Sequence, residues 1–430
     1  MAENPVFALV DANNFYVSCE RVFQPCLQNV PVVVLSNNDG CVVARSNEVK
    51  TLKVKMGTPW FRLQKLAQQH GIAAFSSNYA LYADMSQRVV SVLREFSPEL
   101  EVYSIDESFL RIESLSHLYG GTQAMGQMIR ARVLQWIGLP VCVGIASSKT
   151  LAKFANHLAK KNPCFAGVCD LNALSAEDRE NRMGKTPVSE VWGVGRQIDA
   201  RLAKLGINTV LDLYNADLKM IREQFGVVLE RTVEELRGNS CLELEAVVPA
   251  KQQILSSRSF GMPITSLPKL QEAVSYHVSN VAGRLRAQGS LAGAAHVFIH
   301  TNRFREDQPQ YNGSITVPLP IPSDDSRVLA GVALRGLKEI FRTGYEYKKA
   351  GVMLALLSDK ANRQGSLFAE TQVQNGRGER LMAAVDSINA KFGRGSVYLA
   401  AEGTDKGWAA RADKLSQRYT TRWDELPVVS

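Results

Sequence analysis

The chain has 430 residues, of which 45% are apolar and 21% are charged, and its formal net charge is +8. This composition is typical of a globular protein with several domains, about three at roughly 150 residues each, and it excludes a largely disordered chain. No apolar run approaches the ~18 residues of a membrane span and the first residues carry no basic, cleavable leader, so we expect a cytoplasmic protein without a membrane segment. Seven scattered cysteines without a CxxC motif indicate free thiols in a reducing compartment. The same spacing argues against a zinc site.

The positive charge is concentrated in one part of the chain. Residues 1–249 carry no net charge, residues 250–357 carry +6 and residues 358–430 carry +2. A basic segment that follows a neutral one suggests that this part binds a polyanion. A solvated basic surface without a partner explains the same numbers equally well.

The first 170 residues alternate between strand and helix patterns. In chain order we predict a strand at 5–10, a strand at 30–36, a helix at 84–96, two strands around a tight turn within 100–113, a helix at 126–138, a strand at 139–148 and a basic amphipathic helix at 149–161. This order suggests a ferredoxin-like sheet with an insertion at about 22–80.

A second, helical unit begins near residue 170, and an extended linker at 246–261 leads from it into a third. The third unit is predicted to contain a helix at 270–288, strands at 294–302 and 350–358, and a Pro- and Ser-rich loop at 311–327. From 358 the sequence is polar and indicates a mobile connector, followed by a last helix that begins near 380.

Three acidic residues stand where predicted strands end. Asp11 ends the first strand, and Asp106 and Glu107 lie at the turn of the hairpin. Neighbouring carboxylates resist ionising together, and a hard cation such as Mg²⁺ relieves their repulsion. Two Mg²⁺ roughly 3.5–4 Å apart would serve a phosphoryl transfer. For the Asp-Glu pair taken alone, an ordinary solvent-exposed turn is the alternative.

Two further features suit phosphate groups. The Gly-Val-Gly turn at 193–195 precedes a helix whose first backbone N–H groups could hold a phosphate, and Arg196 adds a positive charge. Lys149, Lys153 and Lys160 share one face of the basic helix. A plain turn between helices and a solvated helix face are the respective alternatives.

The chain resembles the Y-family translesion DNA polymerases in six collinear segments: DANNFYVSCE, SNNDGCVVARS, YSIDES, GIASSKTLAKFANHLAKK, VWGVG and SSRSFG. It resembles the UmuC-type branch of that family in three segments: SNNDGCVVARS, VVLERTVEELRG and LSQRYTTRWDELP. The resemblance covers nearly all of the chain.

The resemblance implies an α+β multidomain fold of the right-hand polymerase type. It assigns a ferredoxin-like palm to 1–25 and 80–170, small fingers to 26–79, a helical thumb with a helix-hairpin-helix to 171–245, an α/β little finger to 250–357, and a clamp-binding connector with a partly flexible UmuC-type tail to 358–430.

The implied function is an error-prone translesion DNA-directed DNA polymerase that acts in SOS damage tolerance, without proofreading. It would use two Mg²⁺ ions and an incoming dNTP on primed and damaged DNA, bound in part by the basic little finger with an affinity that falls as salt rises. A fingers insertion of ~55 residues predicts a loose lid and low fidelity. A nucleotide cyclase and a non-catalytic DNA- and clamp-binding scaffold are the alternatives from other classes.

By position, the resemblance assigns roles to single residues. The metal-binding catalytic acids match Asp11, Asp106 and Glu107, with the Ala12 carbonyl as a further ligand. Tyr16 matches the steric gate that excludes a 2′-OH, and Phe15 lies beside it under the nucleotide. The triphosphate cations match Lys50 and Lys160, and the thumb hairpin that holds a DNA backbone matches Gly193 and Gly195, followed by Arg196.

Two positions depart from the family pattern. Asn47 stands where many relatives have a Tyr for the triphosphate, and Lys53 stands where a Gly is usual. The resemblance therefore leaves the phosphate contacts around Asn47 open.

Two segments near the end of the chain suggest protein partners. Gln364, Ser366, Leu367 and Phe368 resemble a sliding-clamp-binding peptide, and a local contact onto the little finger is the alternative. The apolar stretch at 419–429 either docks on the chain's own little finger or binds partners. The partners that the resemblance implies are a cleaved UmuD-type accessory dimer and a recombinase filament.

Overall fold

The computed structural model describes residues 5–245, 249–362, 372–404 and 407–427, without the side chains of 372–375. The chain forms two compact units. The first contains Met1–Ser36, Gly40–Val248 and Lys414–Ser430, and the second contains Asn37–Asp39 and Pro249–Asp413. Within the described ranges, no helix is long and apolar enough to cross a membrane.

The first unit carries eight strands and eleven α-helices within its described residues, besides short 3-10 turns. In chain order these are β1 (Phe7–Ala12), α1 (Phe15–Phe23), β2 (Val32–Leu35), β3 (Val42–Arg45), α2 (Asn47–Thr51), α3 (Trp60–His70), β4 (Ala73–Ser76), α4 (Tyr79–Leu93), β5 (Leu100–Val102), β6 (Glu107–Arg111), α5 (Thr122–Ile137), β7 (Val141–Ala146), α6 (Lys149–Lys161), β8 (Val168–Asp170), α7 (Ala176–Lys185), α8 (Arg196–Ala203), α9 (Val210–Asn215), α10 (Leu218–Phe225) and α11 (Val227–Leu236).

The central sheet of the first unit has the strand order β5-β6-β1-β7-β8. β1 pairs antiparallel with β6 and β7, and all six of its residues are buried, which explains its unbroken apolar sequence up to Asp11. The strands β7-β1-β6-β5 follow the order of a ferredoxin-like sheet, and β8 adds a parallel edge strand. The expected ferredoxin-like order is therefore confirmed, as are the helix at 149–161 and the hairpin within 100–113.

A smaller sheet, β3-β2-β4, lies in sequence between α1 and α4 and has its own core around Val33, Leu35 and Leu63. The region expected to be an insertion is thus a folded subdomain. Helices α7 to α11 follow the central sheet in sequence, and their core includes Val194, Leu202 and Leu229.

The second unit is an antiparallel sheet, β11-β10-β12-β9, with two helices, α12 and α13, packed against it. Its elements are β9 (Ile254–Ile264), α12 (Leu267–Ala287), β10 (Ser290–Thr301), β11 (Asn312–Ser323), α13 (Ser326–Ile340), β12 (Tyr347–Asp359) and α14 (Gln372–Phe392). The helix expected at 270–288 and the strands expected at 294–302 and 350–358 are confirmed.

Two expectations for this unit were wrong. The linker expected at 246–261 becomes strand β9 from Ile254 onward, and the loop expected at 311–327 is mostly strand β11. β11 lies at the edge of the sheet, where the missing N–H groups of Pro318, Pro320 and Pro322 remove no bond to a second neighbour.

The carboxy-terminal region contributes to both units. In the second unit, Asp386 of α14 accepts two hydrogen bonds from Arg286 of α12, at 2.6 and 2.8 Å, and Trp408 is buried against Phe260 and Tyr276. In the first unit, Tyr419 is buried and stacks on Phe23. The docking onto the little finger that the sequence offered for 419–429 is therefore wrong for Tyr419, which packs against α1 of the first unit.

Candidate active site

The three predicted acids meet at one end of the central sheet. Strand pairing sets Asp11 opposite Glu107, and the Ala12 N–H donates to the Asp106 carbonyl at 2.9 Å. The Ser104 hydroxyl donates to Asp106 Oδ1 at 2.5 Å and accepts from the backbone N–H groups of Asp106 and Glu107. This turn places Asp106 and Glu107 next to the end of β1, as the sequence predicted.

Helix α6 supplies a positive charge to three carboxylates of the sheet. Lys160 Nζ lies 2.5 Å from Asp11 Oδ2, Lys153 Nζ lies 3.1 Å from Glu107, and Lys149 Nζ lies 2.5 Å from Glu101. The lysine face of this helix is therefore paired with acids, and the reading as a solvated face is wrong.

Gly144 explains how α6 approaches the sheet so closely. A Cβ atom at this position of β7 would lie 2.2 Å from the Asn156 backbone nitrogen and 2.3 Å from the Ala152 carbonyl oxygen, both in α6. The buried Asn156 amide then donates to the Leu9 and Cys142 carbonyls of β1 and β7. This contact holds Lys160 over the end of β1.

The environment of Asp11 disfavours its charged form. Burial raises the pKa of Asp11 to about 6, against the attraction of Lys160, and Glu107 and Asp106 raise it further. The mutual repulsion expected from the sequence is therefore present. Among the residues that the structure describes, no three His, Cys, Asp or Glu side chains converge as a metal site, and the acids bind lysine and serine instead.

Tyr16 lies on the first turn of α1 in a cluster of aromatic rings. Its ring stacks on Tyr82 with centroids 4.4 Å apart and meets the edge of Tyr79 at 6.2 Å, and both partners belong to α4. Burial raises the pKa of Tyr16, and Tyr79 and Asp106 raise it further. Phe15 is buried in the core of the unit, which leaves little of its side chain for a ligand.

A polar corner forms where α1 and α2 begin. Lys50 Nζ donates to Asn14 Oδ1 at 2.6 Å and to Asn47 Oδ1 at 3.1 Å. Burial lowers the pKa of Lys50, and the charges of Arg45, Lys160 and Lys161 lower it further. The structure thus brings Lys50 and Lys160 into one cationic region, and Asn47 anchors Lys50 there.

Sequence reasoning missed Asn14 and Arg45 in this corner. Both lie inside the family motifs DANNFYVSCE and SNNDGCVVARS, but no spacing rule distinguishes them from their neighbours. The structure also accounts for Lys53, which has a left-handed backbone with φ of 57°. A glycine adopts this conformation without steric cost, which gives a physical reason for the usual glycine there.

The two glycines of the turn at 193–195 are exposed, and the turn precedes α8, as expected. Gly193 has φ of 89°, which favours glycine, whereas Gly195 has an ordinary extended backbone. Val194 is buried in the core, and Arg196 is exposed. The predicted clamp residues Gln364, Ser366, Leu367 and Phe368 lie outside the described residues.

Comparison with known proteins shows which family the chain matches. The chain matches the impB/mucB/samB family over residues 10–157, the C-terminal domain of that family over 251–367, and a domain of unknown function, DUF4113, over 379–429. It is 45% identical over 427 residues to Protein ImpB of Salmonella typhimurium, covering 98% of this chain and 99% of the relative. It is also 45% identical over 423 residues to Protein UmuC of Salmonella typhimurium strain LT2, with coverage of 98% and 99%.

The chain belongs to the impB/mucB/samB family, the UmuC-type Y-family DNA polymerases. The polymerase is also 28% identical to DNA polymerase IV of Pelotomaculum thermopropionicum over 409 residues, which covers 93% of this chain and 96% of the relative. Among solved structures, a Y-family DNA polymerase chimera matches with a TM-score of 0.64 at 18% identity, covering 82% of this chain and 99% of that chain. This match confirms the multidomain polymerase fold.

Proposed function

We propose that this translesion DNA polymerase extends primed, damaged DNA by two-metal nucleotidyl transfer in SOS damage tolerance, without proofreading. The observation that carries the proposal is the pairing of Asp11 with Glu107, together with the Ala12 N–H bond to the Asp106 carbonyl. These contacts gather three acids at one strand end, beside the aromatic cluster of Tyr16. The sheet itself therefore fixes the acids before any substrate binds.

The donor types are those that a hard divalent cation binds, although in the free protein the described side chains do not converge as a metal site. Asp11, Asp106, Glu107 and the Ala12 carbonyl offer oxygen atoms only, and burial, with a smaller contribution from Glu107 and Asp106, raises the pKa of Asp11. Bound Mg²⁺ would neutralise charge on the transferred phosphate group and on the oxygens that attack and leave. In the free protein Lys160 and Lys153 supply part of that compensation.

The remaining residues bind and orient the nucleotide and the DNA. Lys50 and Lys160, held in one cationic region, suit the triphosphate, and Asn47 positions Lys50. Tyr16, with Phe15 packed behind it, would exclude a 2′-OH. The exposed turn with Gly193, Gly195 and Arg196 suits a DNA phosphate, and the charge of +6 on residues 250–357 suits the duplex.

The proposed partners rest on the sequence and on the names of relatives. The peptide from Gln364 to Phe368 would bind a sliding clamp. One relative is named Protein UmuC, which supports a UmuD-type accessory dimer as a partner, with a recombinase filament as an activator. A polymerase that acts on chromosomal DNA would work in the cytoplasm.

A primer-extension assay tests the proposal. Purified protein is incubated with primed template, one dNTP and Mg²⁺, and Asp106→Asn is compared with Asp84→Asn, which alters a surface acid paired with Arg88. We expect the wild type and Asp84→Asn to extend the primer, and Asp106→Asn to bind DNA without extending it. DNA binding without extension by the wild type, in the presence of clamp and accessory dimer, would favour the scaffold alternative.

A further inference from the structure

A buried hydrogen-bond network connects the carboxy-terminal region to Glu20 of α1 and Tyr82 of α4. Ser416 Oγ lies 3.0 Å from Glu20 Oε1, and the same oxygen accepts a 2.6 Å hydrogen bond from the Tyr82 hydroxyl. Tyr82 in turn stacks on Tyr16. A chain of direct contacts therefore runs from Ser416 through Glu20 and Tyr82 to Tyr16.

The segment 414–419, which we call the return segment, is fixed at several further points. Lys414 and Ser76 exchange two hydrogen bonds, at 2.9 and 3.0 Å. The Asn78 amide donates to the Ser416 carbonyl, the Ser416 hydroxyl and the Gln417 carbonyl at 3.2, 3.0 and 3.1 Å. The stacked pair of Tyr419 and Phe23, with ring centroids 4.8 Å apart and planes 9° apart, ends the contact.

The return segment thus binds both helices that carry the Tyr16 cluster. Tyr16, Glu20 and Phe23 are spaced by four and three residues and lie along one side of α1. Asn78 caps α4 by accepting from the Leu81 N–H at 3.3 Å, and α4 carries Tyr82. The same asparagine side chain therefore caps this helix and holds the return segment.

The Glu20 side chain lowers the stability of the fold at this position. It is 0% exposed, its Oε2 has no hydrogen-bond partner among the described residues, and burial raises its pKa against the bonds from Tyr82 and Ser416. A buried carboxylate with an unsatisfied oxygen destabilises a fold relative to an apolar side chain. Its contribution is instead to define one orientation of the Tyr82 hydroxyl.

We propose that the return segment positions the sugar-discriminating tyrosine, through the contacts Ser416–Glu20–Tyr82–Tyr16. The inference rests on the proposed role of Tyr16 as the steric gate. Tyr82 backs the ring of Tyr16, so loss of its hydroxyl anchor lets both rings shift away from the nucleotide and leaves room for a 2′-OH. Ser416 and Glu20 are positioning residues in this scheme, because neither contacts the nucleotide.

The test measures sugar selection in the full-length polymerase. Single-nucleotide insertion is measured with dCTP and with CTP opposite a template G, and the ratio of their kcat/KM values is compared among variants. We expect Ser416→Ala and Tyr82→Phe each to raise the CTP-to-dCTP ratio by roughly three- to tenfold, the factor expected for one lost hydrogen bond. Ser91→Ala, which changes an exposed serine of α4, is the matched control and should leave the ratio unchanged.

Tyr16→Ala separates failure of the inference from failure of the proposed gate. We expect this variant to admit CTP more than any other, and Ser416→Ala to add nothing in the Tyr16→Ala background because both act through one ring. If Tyr16→Ala relaxes selection but Ser416→Ala and Tyr82→Phe do not, the inference is wrong and the gate stands. If Tyr16→Ala leaves the ratio unchanged, the gate itself is wrong and the inference falls with it.

A purely structural role for the network gives a different result. The variants would then lower the rates of dCTP and CTP insertion equally, with an unchanged ratio and a lower melting temperature, and this outcome would overturn the inference. Additive effects of Ser416→Ala and Tyr16→Ala would also overturn it, because they would place the action of Ser416 elsewhere.

Discussion

Burial and the charge of Lys160 shift the pKa of Asp11 in opposite directions. Burial dominates and raises the pKa to about 6 from an ordinary 3.8, although Lys160 Nζ lies 2.5 Å away. A carboxyl group whose pKa is higher in the folded state contributes stability that is complete below pH 3.8 and is lost as pH rises through about 6. The ionised form of Asp11 that the proposed catalysis requires therefore destabilises the metal-free fold at neutral pH.

Asp11→Asn is accordingly expected to stabilise the metal-free protein while it removes primer extension. At pH 8 in EDTA, the free energy of unfolding should rise by roughly 1–3 kcal/mol, and the gain should shrink toward pH 5 as the wild-type carboxyl group takes up its proton. Urea unfolding followed by circular dichroism measures both values, with Asp84→Asn as the surface control. A loss of stability at pH 8 would show that the attraction of Lys160 outweighs burial.

At the scale of elements, the sequence predicts those segments whose periodicity has a single structural meaning. The buried strand before Asp11 and the helix at 149–161 were predicted correctly because a strand buried on both faces and an amphipathic helix leave distinct patterns. β11 was missed because three prolines argue against a strand unless the strand is known to lie at an edge, and edge position depends on tertiary pairing.

The acids of the site were predictable and their partners were not. Asp106 and Glu107 stand out because they interrupt an apolar alternation, whereas the pairing of Lys160 with Asp11 depends on how closely α6 approaches β7 at Gly144. The contact between Ser416 and Glu20 joins residues 396 positions apart, and no local pattern encodes such a distance.

The segment 364–368 is predicted to act as a separate clamp-binding element. Replacing Leu367 and Phe368 by Ala removes the two apolar anchors that should supply most of the binding energy of a short peptide. Extension on clamp-loaded DNA should fall to the clamp-free rate, while the clamp-free rate stays unchanged. Glu370→Ala is the neighbouring control, and equal clamp stimulation in the double variant would make the motif a chance match.

At the scale of the whole molecule, the carboxy-terminal region carries two tryptophans in contrasting settings. Trp408 is 5% exposed and belongs to the core of the second unit, whereas Trp423 is 91% exposed. Because Trp408 forms part of this core, removal of all residues after 357 would uncover apolar side chains that it covers, such as Phe260. An exposed tryptophan suits a partner surface.

The two tryptophans therefore give a matched pair of variants. Trp408→Ala should lower the free energy of unfolding by about 3–5 kcal/mol, as for other large core side chains. Trp423→Ala should change it by less than ~0.5 kcal/mol and should weaken copurification with the accessory dimer. Equal copurification by Trp423→Ala and the wild type would remove this side chain from the accessory surface.

The hydrogen bond between Ser416 and Glu20 also joins residues that are synthesised far apart in time. A ribosome that adds ~5–20 residues per second needs roughly 20–80 s to pass from one residue to the other. Until the return segment is made, Tyr82 is the only one of the two hydrogen-bond donors to Glu20 that the growing chain contains. A polymerase cut before residue 414 would lack the same donor, and on the proposed positioning role we expect it to select deoxyribonucleotides less strictly than the full chain.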